Sequence, residues 1–169
     1  MKKDFVFPVI VLALICLVMS GALAAVNYIT YPVISEAAAE RAEQAMRDII
    51  PHADGFISLD KEGLPSSIRE AYGTTNDTGY VFIVTAPGYG GEITIICGID
   101  PDGFIIKSLT LAHTETKGIS DPVFNMQPDY IGKDVNLDDI DAISGATITS
   151  VAYKNAVLDA FSAFAALTQ

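Results

Sequence analysis

Glu92-Ile93-Thr94-Ile95-Ile96-Cys97-Gly98-Ile99, then Asp100-Pro101-Asp102-Gly103, then Phe104-Ile105-Ile106-Lys107-Ser108-Leu109-Thr110-Leu111: two apolar, β-branched runs lie either side of four turn residues. β-branched and aromatic side chains suit the pleated, half-buried surface of a strand. Pro101 presets its own φ and Gly103 is free to take φ > 0, so the linker reads as a tight turn and the runs as an antiparallel hairpin. Upstream, Tyr80-Val81-Phe82-Ile83-Val84-Thr85 is a third strand of the same kind. Downstream, Val151, Val157, Leu158, Phe161, Phe164 and Ala165 fall near helical spacing, which predicts an amphipathic helix over Val151 to Leu167 packed on the sheet. The expected fold class is α+β: a twisted, mainly antiparallel sheet with packed helices.

Between the hairpin and this last helix, His113 to Ile140 reads as irregular. Before the first strand, residues 52–78 are polar and carry Gly55, Gly63, Pro65 and Gly73. A short strand near Phe56 to Leu59 and a short helix near Ser66 to Tyr72 are expected there. Ser35 to Ile50 reads as a helix, with Ser35 as its cap, Glu36 in its first turn and Pro51 as its stop. Its role is read as a stalk.

Phe5 to Val26 carries no charge, and about 20 apolar residues span a bilayer core. Lys2 and Lys3 precede it and the next basic residue is Arg41, so the positive-inside rule puts the N-terminus in the cytoplasm. Ala22-Leu23-Ala24 also suits signal-peptide cleavage. The length of the apolar stretch and its continuation into Tyr28, Ile29 and Tyr31, an interfacial aromatic belt, favour a retained anchor. The expected organisation is a cytoplasmic end at 1–4, a transmembrane helix at 5–27, a juxtamembrane stalk helix at 28–51 and an extracytoplasmic domain at 52–169. Gly21, Ala22 and Ala25 offer small residues for close contact with neighbouring membrane helices.

The 169-residue chain carries a formal charge of −11, with a pI near 4.3. Such a surface repels nucleic acid. Cys16 lies in the apolar leader and Cys97 in a strand, so they supply neither a disulfide framework nor a metal site. Nothing in the sequence has the form of a Walker loop, a nucleophile elbow or a metal-ligand spacing.

Three polar or glycine-rich clusters remain. Ser144-Gly145-Ala146-Thr147-Ile148-Thr149-Ser150 sets small and hydroxylic residues just before the last helix, where free N–H groups attract an anion. Read alone, it is equally an ordinary helix cap. His113-Thr114-Glu115-Thr116-Lys117-Gly118 follows the third strand as a surface loop or a ligand-facing edge. His113 and Glu115 are weak candidates for acid–base chemistry. Gly88-Tyr89-Gly90-Gly91 lies between two strands, and a tight turn accounts for it.

In order along the chain, these clusters resemble the FMN-binding domain family. Its members include the G subunit of the Rnf electron-transport complex and the C subunit of the sodium-pumping NADH:quinone reductase. Thr30-x-Pro32-x-Ile34, the single span and the helix ending at Pro51 look like the Rnf G subunit in particular. The resemblance implies that Thr147 carries FMN through a phosphoester, placed there by a flavin transferase that uses FAD. Thr149 is the runner-up, and Ser144, Gly145 and Ala146 complete the flavinylation signature. It also implies that Glu115, Thr116 and Gly118 lie along the isoalloxazine ring. Lys117, Ile119 and Ser120 depart from the family's Pro, Leu and Gly. By the same resemblance the chain is an electron carrier in a ferredoxin:NAD oxidoreductase complex coupled to Na⁺ or H⁺ translocation. Its partners would be other membrane subunits, and it would have no independent catalytic site. A non-redox scaffold and a noncovalent FMN module are the alternatives.

Overall fold

The structure is a computed structural model that describes residues 2–168, without the side chains of 2–6, 35, 38 and 39. The expectations for Lys2, Lys3 and the Ser35 cap concern side chains outside the described residues. The chain divides into two compact units, residues 1–40 and 41–169. The elements are α1 (Lys2–Ile49), β1 (Phe56–Ser58), β2 (Ile68–Thr74), β3 (Tyr80–Pro87), β4 (Glu92–Ile99), β5 (Ile105–His113), α2 (Asp121–Asn125), a 3₁₀ turn (Gln127–Tyr130) and α3 (Thr147–Thr168).

In the first unit, Phe7–Ile34 is helical with a mean hydropathy of 2.9, long and apolar enough to cross a membrane. No helix begins at Ser35, because α1 continues unbroken to Ile49.

In the second unit, the strands form one antiparallel sheet in the order β1-β2-β3-β4-β5, each pairing with its neighbour in sequence. The expected hairpin is there: Ile99 pairs with Ile105 and Ile93 with His113. Its turn closes with the Gly103 N–H on the Asp100 carbonyl and the Phe104 N–H on Asp100 Oδ1. Gly103 sits at φ +87°, the left-handed region that only glycine enters freely.

β3 and β4 are apolar at almost every position because both faces of the sheet are covered. Phe82, Val84, Ile93, Ile95, Cys97 and Ile99 face the core shared with α3. Val81, Ile83 and Ile96 face a second core shared with Met46 and Ile49 from the end of α1 and with Ile50 just after it. An antiparallel sheet with one wet face alternates apolar and polar residues, and this one does not. The last turns of α1 are therefore part of the folded unit.

Three expectations change. The sequence pattern predicts a short helix over Ser66 to Tyr72, but Ile68–Thr74 is strand β2. Pairing with β3 overrides local preference there, and a shift in register between Ile68 and Glu70 accommodates the irregular start. The region from His113 to Ile140 holds α2 and the 3₁₀ turn. Finally, α3 starts four residues before Val151, and its contact face is Ala152, Tyr153, Ala156, Val157, Ala160 and Phe161. Val151 remains 46% exposed. The alanines let the helix axis approach the sheet, and the larger Leu158 and Phe164 pack at its flanks. Tyr153 is fully buried and its phenol donates to Ser108 Oγ at 2.9 Å, which satisfies both groups. Burial pushes the Tyr153 phenol well above its ordinary pKa.

At Gly98 the end of α1 packs directly on the sheet. A Cβ built on it would stand 2.2 Å from Ile49 Cγ2. Gly98→Ala is expected to cost about 1–3 kcal/mol from overpacking, which outweighs the gain of about 0.4–1 kcal/mol from a stiffer unfolded chain. Urea unfolding of the detergent-solubilised chain measures the loss. Combining it with Ile49→Ala should give a smaller total than the two single losses added together, since the collision disappears.

Candidate functional site

The β3–β4 turn and the start of α3 meet at one end of the sheet. The turn closes with the Gly88 N–H on the Gly91 carbonyl at 2.8 Å. It has room for no side chains on its inner side. A Cβ on Gly88 would lie 2.2 Å from Glu115 Oε1, and one on Gly91 would lie 2.1 Å from Thr114 Oγ1. The glycines thus serve more than the tight turn: they let the chain after β5 lie directly against them.

Glu115 is the joint. It is 7% exposed. Its Oε1 accepts from the Gly90 N–H at 2.9 Å and its Oε2 from the Thr149 hydroxyl at 2.8 Å. One side chain therefore ties the glycine turn to the first turn of α3. Thr114 adds a second tie by donating to the Gly90 carbonyl at 3.2 Å.

Beside this joint is a cavity of about 410 Å³ lined by Tyr89, Glu115, Thr116, Ile119, Ser120, Gly145, Ala146, Thr147, Ile148 and Thr149. Of the residues expected at the site, Thr147, Thr149, Gly145, Ala146, Glu115 and Thr116 line it, whereas Ser144 and Gly118 do not. Gly118 instead shapes the loop. It sits at φ +85° and its N–H donates to Asp121 Oδ2 at 2.9 Å. The Ser120 hydroxyl donates to the Thr116 carbonyl at 2.8 Å and closes the same turn. His113 packs its ring on Phe124, with centroids 4.2 Å apart, and is not among the described residues that line the cavity. Asp141 lines a separate recess of about 190 Å³ with Asp138, Tyr130 and Lys154. Burial and the neighbouring Asp129 push the Tyr130 phenol up to about 12.

The two threonines differ sharply. Thr149 is 2% exposed and its hydroxyl is committed to Glu115. Thr147 is exposed, and its hydroxyl lies 3.5 Å from the Ile143 carbonyl, at the far limit of hydrogen bonding. Among the described residues, no backbone carbonyl accepts from the N–H groups of Thr147, Ile148 or Thr149. Such unpaired donors at a helix start favour an anion.

Tyr89, Ile119, Ser120 and Ile148 lie in or beside the motifs but are not among the expected site residues, and the three large apolar ones are 74%, 58% and 56% exposed. Large apolar side chains left open around one recess are a signal for a ligand, but exposure is invisible in a sequence.

The FMN-binding domain family matches residues 88–162, from the glycine turn into α3. The G subunit of the ion-translocating oxidoreductase complex of Shewanella baltica is 30% identical over 189 residues, spanning 95% of this chain and 89% of the relative. The chain belongs to this family of G subunits. The G subunit of a proton-translocating ferredoxin:NAD(+) oxidoreductase complex of Clostridium ljungdahlii is 29% identical, covering 88% of this chain and 85% of its own length. A Na(+)-translocating counterpart from Acetobacterium woodii is 28% identical, over 88% and 86%. The cavity fits the cofactor of this family. Its volume lies in the usual range for small-molecule sites, its walls offer apolar surface to a planar ring, and the start of α3 offers donors to a phosphate.

Glu115→Ala would leave the Gly90 N–H and the Thr149 hydroxyl without their acceptor. The expected loss is about 1–3 kcal/mol in urea unfolding. Amide exchange at Gly90 should accelerate more than exchange in β4.

Proposed function

We propose that this member of the G-subunit family carries FMN covalently, through a phosphoester to Thr147. The carrying observation is the contrast between the open Thr147 hydroxyl on the cavity wall and the buried, hydrogen-bonded Thr149 hydroxyl. The unpaired N–H groups at the start of α3 support the same reading, since a phosphodiester there gains from both the donors and the helix dipole. In maturation a flavin transferase delivers the FMN half of FAD. The new bond joins Thr147 Oγ1 to phosphorus, the pyrophosphate bond breaks and AMP leaves. The hydroxyl proton goes to solvent. Gly145 at φ +87° and Ala146 keep the approach to Thr147 free of bulk.

The bound flavin supplies one- and two-electron transfer, and the polypeptide holds its position and sets its surroundings. Glu115 fixes the glycine turn against α3, and Ile119, Ile148 and Tyr89 provide the apolar surface beside it. Tethering confines the cofactor without a rebinding cost. We place the domain outside the cytoplasm, with a cytoplasmic N-terminus and one span from the apolar part of α1. There it relays electrons within an ion-translocating ferredoxin:NAD oxidoreductase complex, in contact with the other membrane subunits.

A denaturing gel of membranes, viewed under ultraviolet light, tests the linkage in a host with a flavin transferase. A fluorescent band is expected for the parent chain and for Thr149→Ala, and none for Thr147→Ala. Loss confined to Thr149→Ala would move the bond to that residue. Yellow native protein without any fluorescent band would mean noncovalent FMN.

A further inference from the structure

We infer that Glu115 holds the reduction potential of the cavity's redox cofactor low, by placing an uncompensated negative charge in its wall. The inference rests on the flavin reading above. That reading says where the cofactor is attached, and this one says what the protein does to its energetics.

Glu115 lines the cavity and is nearly buried. Its two oxygens accept from one backbone N–H and one hydroxyl, the pattern of a carboxylate satisfied by neutral donors. Among the described residues the ion pairs join Arg47 to Glu43, Arg69 to Glu92, Lys107 to Asp48 and Lys133 to Asp139, and none involves Glu115. No Lys, Arg or His lines the cavity among the described residues. The two neutral donors hold the carboxylate in place without cancelling its charge. Buried charge is poorly screened by water and salt, so it acts strongly on a neighbour. Electrons added to a ring in this cavity meet that field and are disfavoured, which lowers the potential.

Glu115 is neither oxidised nor reduced. In the titration the electrons come from the electrode, and the protons that accompany full flavin reduction come from the buffer. Glu115→Gln keeps the shape and both contacts, since its oxygen can accept from Gly90 while its amide donates to Thr149 Oγ1. Only the charge is removed.

Asp102 provides the control. It belongs to the β4–β5 turn, and the cavity lies at the β3–β4 turn, so the two sit at opposite ends of β4. Asp102→Asn removes the same charge far from the cavity. Thr149→Val works in the other direction. It takes one donor from the carboxylate and leaves the negative charge less dispersed.

The test is spectroelectrochemical titration of the detergent-solubilised full chain, after a fluorescent band has shown that each variant carries flavin. For Glu115→Gln the equilibrium constant for reduction should rise at least tenfold, about 30 mV for a two-electron couple. Asp102→Asn should leave it unchanged, and Thr149→Val should lower it. A potential unmoved in Glu115→Gln, or moved equally by Asp102→Asn, overturns the inference, as does a rise in Thr149→Val. If Glu115→Gln takes up no flavin, the sign of the Thr149→Val shift decides. Absence of a fluorescent band in the parent chain would instead defeat the covalent flavin reading.

Discussion

A sheet whose central strands are apolar on both faces has to be covered twice, and the rest of this structure follows from that requirement. Phe82 and Val84 point one way along β3, Val81 and Ile83 the other. Burying a large apolar side chain contributes about 1.5–3 kcal/mol. Leaving either face wet would therefore forfeit several such terms. The C-terminal helix covers one face with a row of alanines, and the end of α1 covers the other through Met46 and Ile49, with Ile50 just beyond it. Gly98 is the structural mark of the second cover, since any side chain there would occupy the place of Ile49.

Covering the first face brings the start of α3 beside the β3–β4 turn. The two meet through Glu115, which bonds to a backbone amide on one and a hydroxyl on the other. The site is therefore built by three segments far apart in sequence, each brought there by the packing of the sheet. The exposed Thr147 and the buried Thr149, which anchors Glu115, sit two residues apart on α3. On a helix, residues i and i+2 point in different directions, so one faces the cavity mouth while the other turns into the core.

The site mixes charge and apolar surface in an uneven way. Its outer wall is Tyr89, Ile119 and Ile148, open to solvent in the protein alone. Its inner wall is an anionic side chain held by neutral donors. Apolar surface favours a planar ring, the start of α3 favours a phosphate, and Glu115 opposes added electrons. For the proposed electron carrier such opposition is an advantage, because a reduced cofactor that is less stable is a better donor.

The sequence alone determined the hairpin around Asp100-Pro101-Asp102-Gly103, the third strand, the closing helix and the apolar N-terminal helix, because each carries a local signal of period, turn residue or length. It also located the Ser144 to Thr149 and Glu115 to Thr116 clusters, through the order of motifs. It misread Ser66 to Tyr72 as helix, because that segment becomes a strand only by pairing with β3. It placed Val151 on the packed face of α3, although Ala152 and Ala156 make the contact. Small residues carry little weight in an apolar pattern, yet they decide how closely two elements approach. Only the tertiary structure could leave the Thr147 hydroxyl open while burying that of Thr149, bring Glu115 to Gly90, and leave Tyr89, Ile119 and Ile148 open around one cavity. Those relations link residues across 25 and 34 positions of chain, and no local preference encodes a distance in space.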